Sequence, residues 1–218
     1  MKKKILIAHH DKDLSWISEI DGNIDYVIYT TSSKEIKGVN SNKIFHLAKN
    51  KGMDANMYLN YILNNYSNLP DKILFVHHHI IDWSQDFSLP FIINNLKWEF
   101  SDYINIGCRN CYANLYEMEN GKYEYVKNDW LRNIWFLFES YLEFPENTLY
   151  YYAGTQFMTN KELILKYPKT FYEKLLKWLM DTNWECQKTG RIFEYLWHYI
   201  LTGKCNDVYY KNEEIFNL

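Results

Sequence analysis

With 218 residues, 47% hydrophobic and 23% charged, the chain can bury one good-sized core and has the make-up of an ordinary globular domain. A formal net charge of −3 argues against a protein whose main task is gripping a nucleic acid backbone. No window reaches the ~18 apolar residues of a spanning helix, and the run after Lys2-Lys3-Lys4 is too short for a secretory leader, so a soluble, cytoplasmic protein is expected.

Residues 4–8 (KILIA) predict a first strand, and Leu14, Ile17 and Ile20 follow at helical spacing. Residues 24–29 (IDYVIY) predict a second strand closed by Thr30-Thr31-Ser32-Ser33, and residues 44–48 a weaker third. Asp54 is placed to cap a helix with Tyr58, Leu59, Ile62, Leu63 and Tyr66 on one face. Asn68-Leu69-Pro70-Asp71 ends it, and residues 72–76 (KILFV) form the clearest buried strand. Strands alternating with helices predict a single α/β domain built on a mainly parallel sheet flanked by helices.

From about residue 80 to 147 the pattern is mixed: Asn120-Gly121-Lys122 reads as a hairpin turn, residues 129–142 as a helix, and residues 148–153 as a strand entering a turn at Gly154. Thr159 with Glu162, and Thr170 with Glu173, have the spacing of capping boxes on either side of Pro168. A last helix is expected over residues 190–201, with Gly203 just past its end. Cys108 and Cys111 form a lone CxxC without a second pair, and with Cys186 and Cys205 are read as reduced thiols.

Ligands of parallel sheets gather beyond the carboxyl ends of the strands. Three polar groups fall at such ends: His9-His10-Asp11, Tyr29-Thr30-Thr31 and His77-His78-His79. Alternation along an extended chain lets only His77 and His79 converge, with Asp82 and Asp86 near enough to add oxygen ligands for Mn²⁺ or Mg²⁺. The competing reading is a set of satisfied, partly buried histidines. On the last helix, Glu194 and His198 stand four residues apart, suited to a general base and a metal or phosphate ligand. A surface pair worth a few tenths of a kcal/mol is the competing reading there.

Several blocks resemble, in order, those of small glycosyltransferase-like proteins of large algal viruses and of a related uncharacterised fungal family. They are residues 9–16 (HHDKDLSW), 50–52 through Tyr58-Leu59, 65–71, 73–79, 154–157 (GTQF) and 190–198 (GRIFEYLWH). Residues 88–147 match little. The resemblance implies a GT-A-like, Rossmann-like fold, with a nucleotide-binding half over about residues 1–80 and a donor-sugar and acceptor half over about 81–218. It implies a transferase that moves a sugar from a nucleoside diphosphate donor, such as a UDP-sugar, to a glycan or other hydroxyl acceptor. On that likeness Ala8, His9, His10, Asp11, Tyr29, Thr30 and His77 would hold the nucleotide, and Gly154, Thr155 and Gln156 the donor sugar. Glu194 would be the catalytic base and His198 a late metal or diphosphate contact, which joins His77, His79 and Asp82, read from their own spacing, in the candidate metal set. GT-A enzymes commonly carry an Asp-x-Asp where this chain has His77-His78-His79. A non-catalytic nucleotide-sugar or glycan binder, and a metal-dependent hydrolase, are the alternatives.

Overall fold

The structure, a computed structural model, describes residues 1–81, 85–106, 112–114, 130–145, 149–152, 154–206 and 210–218. In β1 (Lys3–His9), Ile5 and Ile7 join the core on one face of the sheet while Leu6 and Ala8 join that on the other. In β4 (Lys72–His77), Leu74 and Val76 divide from Ile73 and Phe75 in the same way. Strands buried on both faces read as unbroken apolar runs, which makes these two the plainest in the sequence.

The remaining main-sheet strands are β2 (Asp25–Thr30), β3 (Ile44–His46), β5 (Tyr103–Asn105) and β8 (Phe157–Asn160). Their order is β3-β2-β1-β4-β8-β5. The first four are parallel, and β8 pairs antiparallel with both β4 and β5, so it alone runs against the other five. A mostly parallel sheet flanked by helices is the α/β architecture expected. A separate antiparallel pair joins β6 (Tyr112–Asn114) to β7 (Tyr150–Tyr152).

Helices α1 (Asp54–Asn65), α5 (Lys169–Asp181) and α6 (Cys186–Thr202) cover one face. On α5, Phe171, Leu175 and Leu179 recur every fourth residue and are fully buried, each side chain contributing about 1.5–3 kcal/mol. The other face carries α2 (Leu89–Asn95), α7 (Asn212–Ile215) and a 3₁₀ turn at Ser15–Glu19. Residues 130–134 form α3 and Lys161–Leu165 form α4. Among the described residues no helix is long and apolar enough to cross a membrane.

Several local expectations are corrected. The helix expected around Leu14–Ile20 is one 3₁₀ turn, because the short β1–β2 connection spends its first residues at the sheet's carboxyl end. Strand β3 stops at His46. Thr159 does not cap α4: it lies buried within β8, and the Asn160 side chain accepts the Leu163 N–H at 2.8 Å instead. Thr170 sits inside the first turn of α5, whose N-cap is Pro168. The expected helix over 129–142 tightens to 3₁₀ at Trp135–Leu137. Helix α6 begins at Cys186, a turn before Gly190, while Gly203 ends it with the expected left-handed backbone. The expected hairpin turn at 120–122, Ala153 and the Cys108–Cys111 pair lie outside the described residues.

Candidate functional site

From β1 the chain steps to β2 and β3 on one side, whereas β4 lies on the other, so the order reverses between β1 and β4. Such a switch point opens a crevice at the strands' carboxyl ends. A cavity of ≈ 210 Å³ lies there. Met53, Asp54 and Ala55 enter it from the start of α1, His77, His78 and His79 from the end of β4, Gly154 and Thr155 from the loop before β8, and Gly190 and Glu194 from α6.

Two carboxylates hold the loop. Glu194 Oε1 accepts the Gly154 N–H at 2.9 Å, and Asp54 Oδ2 accepts the Thr155 hydroxyl at 2.6 Å. Gly154 has φ 109°, which a side chain would strain, so glycine is what lets the backbone turn its N–H to Glu194. The entry into α1 is packed equally closely. Gly52 (φ +75°) approaches Leu179, Met53 takes the unusual φ of 53° for a residue with a side chain, and Gly190 makes room for Met53.

Burial holds His9 and His78 neutral, and their partners fix where the ring proton sits. The Lys12 carbonyl can only accept, so His9 Nε2–H donates to it at 2.9 Å. In the neutral ring Nδ1 then accepts from the Thr30 hydroxyl at 2.7 Å, while Thr30 Oγ1 also accepts the Ser32 N–H at 3.0 Å. Burial lowers the His9 pKa accordingly. His78 Nδ1 accepts the His10 N–H at 3.2 Å, which places the ring proton on Nε2. Its pKa is lowered to about 3, first by burial and then by His79, His77 and His9. At ordinary pH this ring is an uncharged donor. His77 and His79 have ring centroids 5.1 Å apart, and His78 and His79 are 4.4 Å apart.

Of the residues singled out in the sequence, the cavity brings together His77, His79, Gly154, Thr155 and Glu194, and it adds Asp54 and His78. Strand alternation sets His78 aside, but β4 ends at His77 and the next two residues leave the strand geometry. Asp54 has the sequence position of a cap, whereas Met53 holds that place and Asp54 instead binds Thr155. Nothing in spacing marks that contact. His10 stands at the rim through its N–H to His78, and exposed Asp11 follows it.

Several expected site residues lie elsewhere. Ala8 is fully buried under α1, and Thr30 serves His9 from inside the sheet edge while Tyr29 turns to the α1 face. Gln156 is fully buried, with neither side-chain polar atom partnered among the described residues. His198 is 2% exposed, because α6 carries it a turn beyond Glu194 to where the chain returning past Gly203 covers it. Burial lowers its pKa to about 4, against a hydrogen bond to the Cys205 backbone. It lies in the core and does not line the cavity. Among the described residues no group of three or more His, Cys, Asp or Glu is disposed to hold a cation, and Asp82 lies outside them.

Residues 5–215 match a family described as "Protein of unknown function (DUF3431)". The chain belongs to this family. No curated protein and no solved structure matches it. The DUF3431 match takes in every residue that lines the cavity.

Proposed function

We propose that this protein transfers a glycosyl group from a nucleoside diphosphate donor, a uridine diphosphate sugar foremost, to an acceptor hydroxyl. The observation that carries the reading is the meeting, in one cavity at the β1–β4 switch point, of three separate blocks of the sequence resemblance: His77–His79, Gly154–Thr155 and Gly190–Glu194. The mostly parallel sheet with its cavity beyond the carboxyl ends supports a GT-A-type arrangement.

In this reading the nucleotide lies along the rim at His10 and Asp11, and the sugar rests over the Gly154–Thr155 loop. The acceptor oxygen attacks the anomeric carbon as the bond to the diphosphate oxygen breaks. The acceptor's proton passes to the Glu194 carboxylate, and the electron pair leaves with the diphosphate. His78 Nε2–H and the neighbouring imidazoles donate hydrogen bonds to the charge developing on that group. The described residues offer no assembled cation set, so no step is assigned to a metal.

A binding protein without turnover is the second reading, favoured by the engagement of both carboxylates in holding the loop. Calorimetric titration with a panel of nucleoside diphosphate sugars, with and without Mn²⁺, is the test, followed by an assay for released nucleoside diphosphate. One preferred donor with release supports the transferase. Binding without release supports the binder, and no binding to any donor removes both.

A further inference from the structure

Helix α1 has a second cavity at its other end. It measures ≈ 210 Å³ and lies between the second half of α1 and the β2–β3 edge, where Tyr29 and Tyr61 form its inner wall and Phe45 stands at its outer side. Asp54 and Tyr61 are seven residues apart on the helix, so the two cavities are separated by about 10 Å or more.

Three observations mark it as built for a ligand. Tyr61 is 1% exposed, yet its buried hydroxyl has no hydrogen-bond partner among the described residues. The neighbouring Tyr29 hydroxyl is already served by Asn64 Nδ2 at 3.1 Å. A polar atom is rarely buried without a partner, and the residue that carries this one lines the cavity. Burial also raises the Tyr61 pKa, so the group keeps its proton and acts as a donor. Second, Phe45 stacks on Tyr29 with ring centroids 5.0 Å apart and 11° between planes, yet remains 43% exposed on a three-residue edge strand. It presents a flat apolar surface at the opening. Third, Lys4 and Lys43 both reach the single carboxylate of Asp25, at 2.9 and 3.0 Å, leaving the mouth with one excess positive charge.

We propose that this groove binds a small planar aromatic anion, with its ring against Phe45, an acceptor atom on the Tyr61 hydroxyl and its carboxylate at Lys4 and Lys43. Aromatic walls select a flat ring, the lysines select negative charge, and the Tyr61 donor selects a ring bearing a polar substituent opposite the carboxylate. The site is independent of the transferase reading, since none of these side chains enters the other cavity.

The probe is 4-hydroxybenzoate, followed by saturation-transfer NMR and by chemical-shift titration of the whole protein. Cyclohexanecarboxylate tests the need for a flat ring, and benzylamine the sign of the charge. We expect 4-hydroxybenzoate to bind with at least about tenfold preference over either control. Tyr61→Phe and Phe45→Ala should each weaken it by about fivefold or more, while Glu194→Gln leaves it unchanged. Phe45 is exposed, so Phe45→Ala keeps the test sound even if changes at Tyr61 disturb folding. No binding at millimolar probe overturns the proposal. So does binding that benzylamine matches, or that neither Tyr61→Phe nor Phe45→Ala weakens.

Discussion

The hydroxyl of Thr155 donates a 2.6 Å hydrogen bond to Oδ2 of Asp54, tying the loop before β8 to the first residue of α1 across 101 positions of sequence. Tyr58, one turn along the same helix, lies fully buried beside both groups, and its pKa is raised well above the ordinary value by that burial and by the Asp54 charge. A hydrogen bond to an ionised, part-buried acceptor contributes about 1.5–3 kcal/mol. Thr155→Val should therefore lower unfolding stability by about that amount in denaturant titration, whereas Thr155→Ser should keep most of it. Equal stability of the two variants would mean the contact carries nothing.

Gly52 meets Leu179 more closely than any side chain permits. A Cβ added there would lie 2.4 Å from Leu179 Cδ1, and the backbone φ is +75°. Gly38 has the same φ, but a Cβ at that position would meet nothing within 4 Å, which makes it a natural control. Gly38→Ala should cost only the left-handed backbone, about 1–2 kcal/mol. Gly52→Ala should cost that plus overpacking of α5, about 2–5 kcal/mol in all. A thermal or denaturant series that ranks the two equally would remove the packing argument.

The alternating strands are legible in the sequence because β1 and β4 are covered on both faces and need apolar residues throughout. The antiparallel run of β8 is not, since four residues carry no sign of direction. Histidine placement from alternation fails at one register: His78 enters the cavity because the strand ends one residue earlier. The place of Tyr29 at a strand end suggests a ligand contact, yet side-chain alternation sends it to the α1 face with Leu6 and Ala8. The start of α6 is hidden because Gln187-Lys188-Thr189-Gly190 has the composition of a break. That glycine lies inside the helix, where an added Cβ would come within 3.0 Å of Met53.

Acid should weaken the fold through its neutral histidines. His198 and His78 have pKa values lowered to about 4 and about 3 from the ordinary 6.5, so between those values the unfolded chain binds protons that the folded chain does not. Stability is complete above pH 6.5 and falls as pH drops from there towards about 4. The nearly fully buried His198 adds up to about 1.4 kcal/mol per pH unit to the slope inside that window, and the part-exposed His78, screened by solvent, adds less. For a nearly buried group such as His198 the effect should be measurable: His198→Phe should flatten the slope between about pH 6 and about 4.5 by close to one proton. An unchanged slope would show that His198 does not stay neutral in the folded state.

Glu194 separates the transferase from the binder. Its carboxylate holds the Gly154 N–H at 2.9 Å, a bond that a glutamine carbonyl can also accept, so Glu194→Gln should keep the loop and the cavity. What it cannot do is take a proton from an acceptor hydroxyl. If Glu194 is the base, the variant should bind the donor within about twofold of the parent while the rate of transfer falls by about 10²–10⁴. Glu194→Ala removes the loop bond as well and should weaken donor binding too, distinguishing proton transfer from positioning. Donor binding comes from calorimetry and rate from released nucleoside diphosphate. Turnover that survives Glu194→Gln at more than about a tenth of the parent rate would pass the base role to another group. Asp54, the other carboxylate of the cavity, is then the residue to substitute next.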